Sequence, residues 1–108
     1  KELWQQEIQA LHRSRELLLG QRIALTNAMR GFLAEHGYAI AQKDQHLEKT
    51  LQEIFSLKSS EFSGLFLKMI ELLWQQLKEL KTKIHEIELQ IEKIARTDER
   101  CKRIQQID

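Results

Sequence analysis

An all-α fold is predicted by three features: 108 residues with no proline and four glycines, no valine at all, and an unbroken four-three spacing of apolar residues from Phe66 to Ile94. A sheet would need turn punctuation and β-branched runs, whereas abundant Leu, Ile, Gln, Glu and Lys sustain helix. The expected architecture is a single domain over residues 1–108, a long antiparallel helical hairpin or coiled coil with a short helix near its tip, associating as a helical bundle.

The first helix is predicted from Trp4, Ile8, Leu11, Leu18, Leu25, Met29 and Phe32, which share one face. Arg15 and Arg22, seven residues apart, occupy seam positions of that face. Gly37, after Glu35 and His36, is the natural left-handed cap that ends it. Beyond a connector through Gln42, Asp44 caps a helix of about three turns carrying Leu47, Leu51, Ile54 and Phe55. Ser56, Ser59 and Ser60 then interrupt the pattern, and Ser59 or Ser60 is expected to cap the third helix, from Ser60 to Arg96. Thr97 either continues it or caps a new one. The Phe62 to Trp74 stretch is apolar on nearly every side, so several helices are expected around it. The stripe of Leu77, Leu80, Ile84, Ile87, Ile91 and Ile94 is one seam flanked by Glu, Lys and Gln, expected to mediate homodimerisation through an apolar surface longer than the first helix covers.

Seventeen Lys and Arg against sixteen Asp and Glu give a net charge of +1, so any nucleic-acid contact must be local. Such an excess exists: Arg13, Arg15, Arg22 and Arg30 stand in a window with one acid, Glu16. The planar guanidinium pairs two phosphate oxygens at once. The alternative is that these are solvated or ion-paired arginines of an amphipathic helix. In a seam, Arg15 and Arg22 would face carboxylates of an antiparallel partner, with Glu79 and Glu86 at suitable heights, and losing a buried partner would cost about 3 kcal/mol.

Other chemistries find little support. His12, His36, His46 and His85 lack the spacing of a metal site, and His85-Glu86 lacks the second His of a zincin helix. No catalytic residue, resident metal or cofactor is expected here. Glu86, Glu88 and Glu92 fit a solvated helix face. The lone Cys101 has no disulfide partner, which with no export signal or bilayer-length apolar run points to a cytoplasmic protein without membrane contact. Trp4 and Trp74 fit packing better than base stacking. The opening Lys1-Glu2-Leu3-Trp4 lies inside a helical pattern without an initiator Met, as expected of part of a longer protein.

The run Ile8-Gln9-Ala10-Leu11-His12-Arg13-Ser14-Arg15-Glu16-Leu17-Leu18, followed by Gln21 to Gly37, carries R-x-x-L, a second Arg, and L-x-N-x-x-R-G-x-L-x-E-x-G. It resembles the bacterial insertion-sequence transposases with a DEDD catalytic core, known as bridge-RNA-guided recombinases, in the stretch after their RuvC-like domain. The tail Cys101-Lys102-Arg103-Ile104-Gln105-Gln106-Ile107-Asp108 is similar to that family's approach to its G-[IV]-G-P motif, while residues 41–80 match in pattern only. The resemblance implies a non-catalytic spacer between the RuvC-like domain and a C-terminal transposase domain. It also implies self-association, DNA and guide RNA as partners of the full-length protein, and a divalent metal only in the catalytic domain. Its arginines would contact nucleic acid. The rival reading is a generic coiled-coil interaction module, which the heptads alone would allow.

Overall fold

The computed structural model describes residues 2–40, 44–57 and 62–106, the side chains of 44, 57 and 98–106 excepted. Three helices account for nearly all of it: α1 (Leu3–Glu35), α2 (Asp44–Leu57) and α3 (Gly64–Gln106). At about 1.5 Å per residue α1 is about 50 Å long and α3 about 64 Å. The molecule is accordingly a rod of 71 × 23 × 20 Å.

Two contacts fix the direction of the long helices. Arg15 near the start of α1 bonds Glu88 far along α3, while the His36 ring after α1 lies 4.0 Å from the Phe66 ring at the start of α3. The pair is therefore an antiparallel hairpin, as the spacing predicts. Within α2, Glu48 pairs with Lys81 and Phe55 stacks on Trp74 at 5.3 Å. Rising numbers on α2 meet falling numbers on α3, so α2 runs antiparallel to α3 and parallel to α1, flanking the half of the hairpin nearest its turn.

The turn is built by Gly37. Its φ of +88° lies where a Cβ is costly, and it lets the chain close a Schellman motif. The Gly37 and Tyr38 amides donate to the Ala34 and Leu33 carbonyls, both at 3.0 Å. Tyr38 then stacks on Phe62, and Phe62 on Phe66, with centroids 5.4 and 5.1 Å apart.

Two boundaries differ from expectation, and a third, left open at Thr97, is settled. Ser56 lies within α2. The α3 cap is Ser63, whose hydroxyl accepts from the Phe66 amide at 3.1 Å; Ser59 and Ser60 lie outside the described residues. The shift has a packing cause: Phe62 is 6% exposed and must fold back over the turn, so the helix starts after it. Helix α3 also passes through Thr97 unbroken to Gln106.

The core sits where three helices meet: Met29 and Leu33 of α1, Leu47 and Leu51 of α2, and Ile70 and Leu77 of α3 are fully buried. Thr26 joins them because its hydroxyl donates to the Ile23 carbonyl at 3.0 Å, which satisfies a buried polar group. The apolar stretch of α3 is not surrounded as expected. Leu65 is 82% exposed and Leu72 60%, because α2 fills one groove of the α1–α3 pair and, among the described residues, no element fills the other.

Candidate nucleic-acid interface

The four window arginines divide over α1. Arg13 and Arg15 are two residues, about 200°, apart on the helix, so they point to opposite sides. Arg13 is fully on the solvent side and classed as exposed. Arg15, half-buried, reaches across the seam, and its Nε and Nη2 donate to Glu88 Oε2 at 3.1 and 3.0 Å. Arg22 is half-buried on the same side as Arg15, one heptad on. Arg30, also half-buried, extends Nη1 to within 3.4 Å of Asn27 Oδ1. No single cluster of four results; Arg13 and Arg30 lie about 26 Å apart along the axis.

The Arg15 partner corrects the expectation of Glu79 and Glu86. Glu86 is two residues from Glu88 and so on the far side of α3, and Glu79 is more than two turns away, whereas Glu88 lies level with Arg15 on the facing flank. Nor is the pair buried: the two side chains keep 37% and 44% of their exposure. An exposed pair contributes about 0–1 kcal/mol, far below the 3 kcal/mol of a buried charge left alone.

The stripe expected as an intermolecular seam is partly used within the chain. Leu77, Leu80 and Ile84 are 0%, 3% and 4% exposed, enclosed by the chain's own helices. Ile87, Ile91 and Ile94 are half-buried, and the last two form with Ile8, Leu11 and His12 a shallow groove of about 180 Å³. The seam reaches that far because the start of α1 extends alongside this part of α3.

Spacing could not foresee the aromatic lock at the turn. The His36 ring packs against both the Phe62 and Phe66 rings, and its Nδ1 is 3.1 Å from the Phe32 carbonyl. The only sequence signal was the density of Phe, Tyr and His around two turn-forming segments. On the outer flank Lys78 lies over Trp74, its Nζ 4.0 Å from the ring centroid. Among the described residues no group of three or more His, Cys, Asp or Glu could hold a metal ion, and no helix is long and apolar enough to cross a membrane.

Comparison with known proteins gives one informative likeness. Over 107 residues the chain is 28% identical to the transposase for insertion sequence element IS1111A of Coxiella burnetii (strain RSA 493 / Nine Mile phase I). The match takes in 99% of this chain but 29% of that transposase, so the chain spans less than a third of its relative's length. No family model matches the chain, and no solved structure does.

Proposed function

We propose that this chain is the helical, non-catalytic spacer of a transposase, acting in DNA transposition by holding catalytic parts of the protein apart and helping protomers associate. The observation that carries the reading is the likeness of this helical rod to a transposase over nearly all of its residues. The order of Arg22, Asn27, Arg30-Gly31 and Glu35-x-Gly37, which amphipathicity does not demand, supports the DEDD, bridge-RNA-guided class. On this reading the protein works in the cytoplasm, on DNA and a guide RNA, as a homodimer, with its divalent metal held elsewhere in the protein.

Arg13 is the arginine to bear a phosphate contact. It is exposed on the side of α1 away from α3, while Arg15 is engaged with Glu88. The test is nucleic-acid binding by the complete transposase at several salt concentrations. Arg13→Ala should weaken binding to DNA or guide RNA and reduce the log–log salt slope by about one, with folding unchanged. The rival reading, a generic coiled-coil module, rests on the α3 heptads and predicts no effect on either quantity.

A further inference from the structure

Helix α2 fills one of the two grooves along the α1–α3 pair. Leu25 and Phe32 of α1 and Met69 of α3 are only half-buried. With about 100° per residue, these positions and the exposed Leu65 and Leu72 fall on the opposite flank from the α2-facing Thr26, Ile70 and Leu77. Near the turn the second groove is therefore apolar and open. Leu72 at 60% and Leu65 at 82% exposure are large side chains standing at its edge.

We infer that this groove is covered by the same groove of a second copy, the two rods stacked with their turns at the same end so that α3 of each lies over α1 of the other. This rests on the proposed self-association and moves it off the α3 stripe, where Leu77, Leu80 and Ile84 are already enclosed. Two features select a second copy as occupant. In the antiparallel register set by Arg15 with Glu88, Leu72 lies level with Gly31, so in the stacked pair it descends on the exposed Ala28 and Gly31 of the other α1. Nothing lies within 4 Å of a Cβ built at Gly31, which leaves room for that side chain.

Charge is the second feature. Lys68 and Glu35, both exposed, occupy the same level on the outer rims of α3 and α1. Within one chain they sit on opposite rims of the groove; stacking brings each Lys68 over the other copy's Glu35, twice by symmetry. Beyond Leu72 the rim position it shares with Leu65 passes at heptad spacing to Glu79 and Glu86, which confines the contact to the half of the rod nearest the turn.

Sedimentation equilibrium of the 108-residue chain tests this. The unmodified chain should reach dimer in the micromolar range, and Leu72→Glu should weaken association about thirtyfold or more with helicity unchanged, because Leu72 is solvent-exposed in the single chain. Lys68→Glu alone should weaken it, and Lys68→Glu combined with Glu35→Lys should recover it. If Leu72→Glu dimerises as tightly as the parent, or the charge exchange gives no recovery, the groove is not the interface while self-association stands. A concentration-independent monomer for the unmodified chain overturns self-association itself, leaving the transposase likeness untouched and the groove to another segment of a longer protein.

Discussion

Arg15 shows how one residue's role turns on which neighbour it meets. Its seam position was legible from the heptad, and the need for an acidic partner followed from charge. The identity of that partner was not, because a two-residue change on α3 rotates a carboxylate to the far side. With Glu88 as partner and both side chains over a third exposed, Arg15→Ala should lower stability by no more than about 1 kcal/mol in urea unfolding, and by less at high salt. A loss near 3 kcal/mol would mean that the pair is buried. Gly37 is the opposite case: its place after His36 gave the cap, and its φ of +88° confirms why no side chain suits it. Gly37→Ala should cost about 1–2 kcal/mol, measured by the same unfolding curves.

Among the elements, α3 was the most legible because its four-three spacing persists for eight turns, and a signal that long survives local exceptions. Its first residue was not, since three serines within five positions could each supply the capping oxygen. The burial of Phe62 decides for Ser63. Ser63→Ala should therefore destabilise by about 1 kcal/mol, an effect expected of the cap and not of an ordinary exposed serine. For α2, length and apolar face were readable, but its direction depends on which α3 residues it meets, and no local pattern encodes that. Leu51 is fully buried between α2 and the hairpin, so Leu51→Ala should cost about 2–5 kcal/mol in thermal or denaturant unfolding.

The described molecule is a rod closed at one end by Gly37 and the aromatic cluster, with the start of α1 and the end of α3 at the other. Composition made it helical, yet the open groove beside Leu72 could not be read from sequence. A run apolar on every side looks the same whether one of its sides is covered or bare. The candidate arginines were likewise visible as a window, while their division into solvent-facing Arg13 and seam-facing Arg15 required knowing which side of α1 meets α3.

A spacer works by its length, and length can be changed without touching the arginine window. Residues 5–11 and 92–98 lie level with each other near the open end, and deleting both removes one heptad from each helix. The rod should shorten by about 10 Å with its seam kept in phase. The decisive measurement is the transposition frequency of the complete transposase carrying this paired deletion, with circular dichroism and nucleic-acid binding as controls. The account predicts a folded protein that still binds nucleic acid and transposes at a small fraction of the parental frequency; transposition at the parental frequency by the shortened protein would contradict it.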